Sequence, residues 1–201
     1  MAKERSSADQ RRLRLLTLVP MGIALNLSLG TLVHALRLPV YIDEVGTICV
    51  TLLVGLRAGL AVGILSFLLG GPLTNPTLPW FTATQVAVAL YTHFFGRRGF
   101  IRTLRRTILS GIGLGVVAGV VSAPVVVLLF GGLSGSGASL VTAFLLASGK
   151  TVLQSVFLAG LASEPLDKTL QLLLARHILR GIPKSILDNY SNPSLNANGL
   201  Q

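Results

Sequence analysis

Six apolar stretches alternate along this chain with connections, and the basic residues gather in every second connection. The first stretch, 13–36, follows Arg11, Arg12 and Arg14, and the fourth, 80–96, precedes a connection with five arginines between 97 and 106. The odd-numbered connections carry almost none, Arg37 being the exception. Because Lys and Arg remain on the cytoplasmic side of a membrane, this pattern predicts an all-α integral membrane bundle of six transmembrane helices with both termini in the cytoplasm.

The composition agrees with a membrane location. Hydrophobic residues make up 51% of the 201 residues and charged residues only 12%, which is unlike a soluble domain. A net charge of +10 would suggest nucleic acid in a soluble protein, but these charges lie at membrane edges. They favour contact with the anionic lipid bilayer and no nucleic-acid partner.

The number of spans depends on the stretch 42–71, which is interrupted at 55–59 by Gly55 and Gly59. Each half is shorter than the roughly 20 residues that cross a bilayer. A single tilted span would place the five arginines of 97–106 outside, so we expect a hairpin of two short spans. The remaining spans are 107–131 and 140 to about 163.

The chain divides into three parts: a basic cytoplasmic N-terminus at 1–12, a membrane domain at 13–184, and a disordered tail at 185–201. The membrane domain ends in an amphipathic helix that lies on lipid headgroups or docks a partner. Its apolar face is Leu166, Leu170, Leu173, Leu174, His177 and Ile178, and its polar face is Lys168, Gln171, Arg176 and Arg180.

The sequence contains no arrangement of residues typical of an enzyme. His34, His93 and His177 are isolated from one another and lack a second ligand at metal spacing. The run 148–151 resembles the end of a phosphate-binding loop but lacks that motif's first glycine. Cys49 is the single cysteine and lies in an apolar segment. We expect no catalytic activity, no metal and no cofactor.

Lys150 is the most unusual residue of the predicted spans. It lies about eleven positions, or roughly 16 Å, into the sixth, where a lysine costs on the order of 3 kcal/mol. Gln154 follows one turn later on the same face. Lys150 either binds a ligand with Gln154 or pairs with Asp43 or Glu44.

Other polar residues gather near the predicted external ends of the spans. They predict a small-molecule site there, beneath a flexible loop at 131–137 that could act as a lid. Trp80 and Tyr41 also suit the aromatic belt of the membrane interface. The candidate substrate-binding residues are Tyr41, Asp43, Glu44, Asn75, Trp80, Thr84, Gln85, Lys150 and Gln154.

The first span carries small residues at four-residue spacing. Gly22, Asn26 and Gly30 form one stripe, and Ala24 with Ser28 forms a second. Small residues let helices approach closely in lipid. The stripes therefore either pack inside the bundle or dock another membrane subunit, with Gly22, Ala24 and Ser28 as the candidate docking residues.

Several segments together resemble a family of transport proteins: residues 38–47 (LPVYIDEVGT), the Gly-rich hairpin, Asn75-Pro76, the helix through Lys150 and Gln154, and 164–168 (EPLDK). Over roughly 13–187 the chain resembles the substrate-binding S components of energy-coupling factor transporters. The resemblance implies a multi-pass protein of a bacterial or archaeal cytoplasmic membrane. Such a protein captures a vitamin or related micronutrient from outside and delivers it by toppling in the membrane.

The same resemblance implies partners. In that family the S component delivers its cargo to a transmembrane coupling protein and two ATPases, and hydrolyses nothing itself. A pair of alanines on the first helix contacts the coupling protein, and Ala24 with Ser28 is the nearest match here. The main alternative is a membrane sensor or scaffold whose amphipathic tail reports the bound state. A self-sufficient carrier is disfavoured by the lack of an inverted repeat.

Overall fold

The computed structural model describes residues 2–36, 38–135, 138–188, 190 and 192–200, with side chains from residue 15 onward. The side chains of Arg11, Arg12 and Arg14, and all of Arg37, therefore lie outside the described residues. The described part of the chain is helical and contains no strand, which confirms the all-α prediction. Three segments are long and apolar enough to cross a membrane: Leu15–Ala35, Leu56–Leu73 and Leu104–Phe130.

The helices follow one another with short connections. In the described residues they are α1 (Ala2–Ala35), α2 (Val45–Leu53), α3 (Leu56–Leu73), α4 (Thr82–Gly96), α5 (Leu104–Phe130), α6 (Ala138–Ala147), α7 (Val152–Gly181), α8 (Lys184–Leu187) and α9 (Pro193–Ala197). A 3₁₀ helix, Leu78–Phe81, precedes α4.

The expected interruption in the second apolar stretch is present. Gly55 adopts a φ of 119°, which glycine tolerates and other residues rarely do, and it separates α2 from α3. A Cβ on Gly59 would collide with Thr51, and one on Gly63 would lie 3.4 Å from Thr47, so the two helices run antiparallel. Every residue of α2 is buried. The hairpin therefore places α2 at the centre of the bundle, in contact with α1, α3, α4 and α7.

Helices α5 and α7 pack closely because two glycines of α5 face the backbone of α7. A Cβ on Gly111 would collide with Thr169, and a Cβ on Gly115 would collide with Pro165. Small residues allow this approach between helices in lipid. Pro165 lies inside α7 without an N–H to donate. The α5–α7 contact fixes the position of α7 along its own axis relative to the rest of the bundle.

The prediction of one span from 140 to about 163 is wrong. Helix α6 ends at Ala147, and Gly149 adopts a φ of 84° in the turn that follows. Thr151 then caps α7: its hydroxyl accepts from the N–H of Gln154, and the Gln154 side chain accepts from the N–H of Thr151. This capping box starts a new helix.

Helix α7 then runs unbroken to Gly181, so the predicted tail helix is its second half. The predicted faces are reversed in the first part of this segment, whereas Leu174 and Ile178 pack against the core and Arg180 is exposed, as predicted. Leu166 is 54% exposed, whereas Lys168 is 2% exposed and Gln171 is fully buried. The polar stripe of α7, which consists of Glu164, Asp167, Lys168 and Gln171, faces the protein interior, where other polar groups bond to it. Leu166 and Leu170 are exposed, whereas Leu172 and Leu179 are buried in the core.

The tail from residue 185 differs from the expected disorder. Leu187, Leu195 and Leu200 are buried against the bundle. The Asn198 side chain accepts from the N–H of Ile101 (2.8 Å) and donates to the C=O of Gly96 (2.8 Å). Composition predicted a solvated segment, but these contacts satisfy the backbone of the turn after α4 and bring the tail onto it.

The arginine-rich connection lies at the same end of the bundle as the tail. The guanidinium of Arg176 donates to the C=O of Ile101 (3.1 Å), and that of Arg180 donates to the C=O of Arg102 (2.8 Å). Helix α4 extends away from this end of the bundle for 15 residues, a length of about 22 Å at 1.5 Å per residue. The connections 38–44, 74–81 and 131–135 therefore lie at the opposite end.

Candidate functional site

A cavity of about 510 Å³ lies at the end of the bundle away from the arginines. Its walls come from six helices, α1, α3, α4, α5, α6 and α7, and from the connections 38–44, 74–81 and 131–135. This volume lies in the usual range for a small-molecule site, about 300–1,000 Å³. Six helices contribute to the walls, so the site exists only in the assembled fold.

Five of the predicted site residues line this cavity: Tyr41, Asp43, Glu44, Asn75 and Thr84. They come from two connections and the first turn of α4, which the sequence separates but the fold brings together. The loop expected as a lid also contributes Ser134 and Gly135, while residues 136 and 137 lie outside the described residues.

Trp80 and Gln85 do not line the cavity. Trp80 is 58% exposed, in agreement with the interfacial alternative. Gln85 is fully buried behind the wall. Its Oε1 accepts from the Thr47 hydroxyl (2.7 Å) and its Nε2 donates to the C=O of Asp43 (3.1 Å). Gln85 therefore fixes the position of Asp43.

Lys150 and Gln154 lie away from the cavity, which corrects the expectation for this pair. Lys150 is in the turn between α6 and α7 and is exposed, as is Gln154 in the first turn of α7. Because the helix breaks at 148–151, Lys150 does not lie deep within a span, which was the feature that made it unusual in the sequence. The alternative pairing of Lys150 with Asp43 or Glu44 is also wrong, because Lys150 is exposed in this turn and the cation beside Glu44 is Lys168.

Lys168 is the buried cation of the site. Its Nζ lies 2.8 Å from Glu44 Oε2, 2.8 Å from Asp167 Oδ2 and 3.4 Å from Glu164 Oε2. The side chains of all four residues are at most 7% exposed. Buried ions remain stable only when they are paired and hydrogen-bonded, and the three carboxylates fulfil that need for Lys168.

The polar stripe of α7 also holds the connection 41–44 in place. Asp167 Oδ1 accepts from the N–H of Tyr41 (2.8 Å) and of Ile42 (3.0 Å), and Gln171 Oε1 accepts from the N–H of Glu44 (2.9 Å). Buried backbone N–H groups need such partners. Ile42 has a φ of 49°, unusual for a β-branched residue, and these bonds stabilise it.

Asn26 forms the floor of the cavity. Its Nδ2 donates to the hydroxyls of Thr47 (2.9 Å) and Ser66 (3.1 Å), and its Oδ1 accepts from the N–H of Gly46 (2.7 Å). Asn26 thereby joins α1, α2 and α3 beneath the ligand space. A Cβ on Gly30, one turn later, would lie 2.8 Å from Asp43 Cβ, so α1 closely approaches the acidic wall.

Burial changes the acidity of the two carboxyl groups that precede α2. It raises the pKa of Asp43 to about 7, against the opposing effect of the Lys168 ammonium. It also raises the pKa of Glu44 to about 8, again against Lys168 and with added repulsion from Asp43. Both groups lie in the connection 38–44, outside the three spanning helices, and exchange protons near neutral pH.

The candidate docking stripe of α1 separates into two faces. Gly22 is buried, and a Cβ there would lie 3.0 Å from both Val50 and Val62, so this position packs within the bundle. Ala24 and Ser28 are exposed. Only the second stripe is thus available to a partner.

Sequence reasoning missed Glu164, Asp167 and Lys168 as site residues. The signal was present: together with Gln171 they recur at three- and four-residue intervals, which places them on one helical face. Among the described residues, no group of His, Cys, Asp and Glu side chains is arranged to hold a metal ion.

Comparison with known proteins adds no relative: no family model, curated protein or solved structure matches the chain.

Proposed function

We propose that this protein is the membrane-embedded substrate-binding subunit of an energy-coupling factor transporter. The main observation behind this proposal is the cavity of about 510 Å³, which both apolar and polar side chains line, at the end of the bundle opposite the arginines. Under the positive-inside bias, the arginine end is cytoplasmic and the cavity faces outside. Both termini are then cytoplasmic, and six segments supply the crossings of a bacterial or archaeal cytoplasmic membrane: α1, the connection 38–44 with α2, α3, α4, α5 and the α6–α7 pair.

The connections around the cavity suit capture of a solute. Asn75 Oδ1 accepts from the N–H (3.0 Å) and the hydroxyl (2.8 Å) of Thr77, which stiffens the connection before α4. A preformed rim lowers the entropy cost of binding. The cargo in this proposal is a vitamin or related micronutrient held by the cavity-lining residues.

The partners in this proposal are a transmembrane coupling protein and two ATPases. The exposed face with Ala24 and Ser28 is the docking surface on α1, since small side chains allow a second helix to approach. Its companion Gly22 is already packed inside. The protein itself would contribute binding and delivery, and the ATPases would supply the energy.

The test is affinity purification of the tagged full chain in mild detergent, followed by mass spectrometry of the proteins and small molecules that accompany it. The expected result is a coupling membrane protein, two ATPases and a retained solute. A matched purification of Ala24→Trp should lose the proteins and keep the solute. Recovery of the chain alone from cells that express such ATPases would contradict the proposal and favour a sensor or scaffold.

A further inference from the structure

The cavity wall is strongly unbalanced in charge. Asp43, Glu44 and Glu164 all line the cavity, and Lys168 is the one Lys or Arg among its described lining residues. Asp167 adds a fourth carboxylate directly behind, 2.8 Å from Lys168. One ammonium therefore faces four carboxyl groups, and the wall retains an excess of acid on the side of the ligand space.

Lys168 does not neutralise these groups equally. It lies 2.8 Å from Glu44 and from Asp167 but 3.4 Å from Glu164. Glu164 is 5% exposed, and among the described residues its Oε2 and that of Glu44 have no hydrogen-bond partner, so their contacts with Lys168 differ only in distance. Within the described residues, the ion pairs of Lys168 do not include Asp43. Glu164 and Asp43 are therefore the carboxyl groups left for a positive charge in the cavity.

A second feature of the wall independently indicates a ligand. Thr84 lines the cavity from the first turn of α4 and is 5% exposed. Its hydroxyl is buried and, among the described residues, has no hydrogen-bond partner. Buried hydroxyl groups are normally bonded, so this group needs a partner that enters the cavity.

We propose that the cavity binds an organic cation, a small molecule whose protonated amine or other cationic nitrogen is held by Asp43 and Glu164 and whose body offers a polar atom to Thr84. This inference rests on the proposed binding function and specifies its substrate class. A cation in the cavity favours the ionised form of these carboxyl groups, whereas an anionic ligand would have only Lys168 as a cationic Lys or Arg partner, and that ammonium already contacts three carboxyl groups. The cavity volume suits an organic molecule rather than a bare ion.

The experiment has two parts on the purified full chain in detergent. Small molecules released on denaturation are identified by mass spectrometry, and their charge at neutral pH is assigned. Thermal stabilisation is then measured with three probes of similar skeleton but different charge: phenethylamine, phenethyl alcohol and phenylacetate. We expect a cationic cargo and stabilisation by phenethylamine above the other two probes.

Single substitutions test which carboxyl groups hold the cationic cargo. Glu164→Gln and Asp43→Asn should each lower retention of the cargo at least tenfold, whereas Asp188→Asn, an exposed carboxylate after α8, should retain it like the parent. A neutral or anionic cargo, or stabilisation by phenylacetate equal to that by phenethylamine, would overturn this inference and leave the proposed function intact. The absence of any cargo together with no response to any probe would overturn both. The cargo and probe results on the parent chain stand even if a variant fails to fold.

Discussion

The ammonium of Lys168 lies 2.8 Å from a carboxylate oxygen of Glu44, and both side chains are 2% exposed. This pair joins α7 to the connection before α2. Removing one member of a buried ion pair leaves an uncompensated charge, so the pair is a structural requirement of the cavity wall as well as part of its chemistry.

Replacing Lys168 with methionine should destabilise the protein by about 3–5 kcal/mol, because three carboxylates lose their common cation. Thermal unfolding in detergent measures the effect. Lys150→Met is the matched control, since Lys150 is exposed in a turn and should unfold at the parent temperature. Equal losses in the two variants would contradict the assignment of Lys168 as the site's buried cation.

Gly115→Ala should disrupt the packing of α5 against α7, because the added Cβ would collide with the backbone of Pro165. Gly119→Ala, one turn later on the same helix, should be tolerated, since its Cβ would lie 3.7 Å from the nearest atom, Glu164 Cγ. Size-exclusion profiles and unfolding temperatures of the two variants give the comparison. A tolerated Gly115→Ala would show that α5 and α7 are farther apart than described.

The empty protein should become less stable as pH rises from about 5 to 8. The folded pKa values of Asp43 and Glu44, about 7 and about 8, exceed the unfolded values of about 4. The folded state therefore binds more protons in this window, and stability falls until both groups are ionised. Asp43→Asn should flatten the dependence of unfolding temperature on pH. An unchanged slope would mean that Asp43 does not titrate in the folded protein.

Replacing Ala24 or Ser28 with tryptophan should abolish uptake of the cargo by cells while leaving its binding in detergent unchanged, since both positions are exposed on α1. Gly22→Leu provides the contrast, because its side chain would enter the space held by Val50 and Val62 and should impair folding. Loss of binding in Ala24→Trp would instead show that this face packs within the bundle.

Much of the fold could be predicted from the sequence because it depends on local properties. Gly55 marks the break between α2 and α3, and the apolar runs mark α1, α3 and α5. The break at 148–151 depends on the same local chemistry, since Gly149 and the Thr151–Gln154 capping box were both present in the sequence. The surrounding residues are apolar enough to suggest one span, and this outweighs the two local signals.

The site was less predictable, for a physical reason. Whether a polar stripe on a helix faces water or the protein interior depends on what the other elements offer to it. The stripe with Lys168 and Gln171 faces inward because the backbone of 41–44 lacks regular partners and needs Asp167 and Gln171. These hydrogen bonds join residues that are far apart in the sequence, so the periodicity of polar residues within α7 cannot predict which way the stripe faces.

The burial of every residue of α2 has a consequence for biogenesis. Nine residues extend about 14 Å as a helix, less than half of the roughly 30 Å of hydrocarbon in a bilayer. Besides α1 and α3, helices α4 and α7 also cover α2, and both are synthesised after it. We expect the insertion machinery to receive α2 and α3 together as a hairpin. Helix α2 then becomes fully buried only after α4 and α7 have been synthesised and have packed against it.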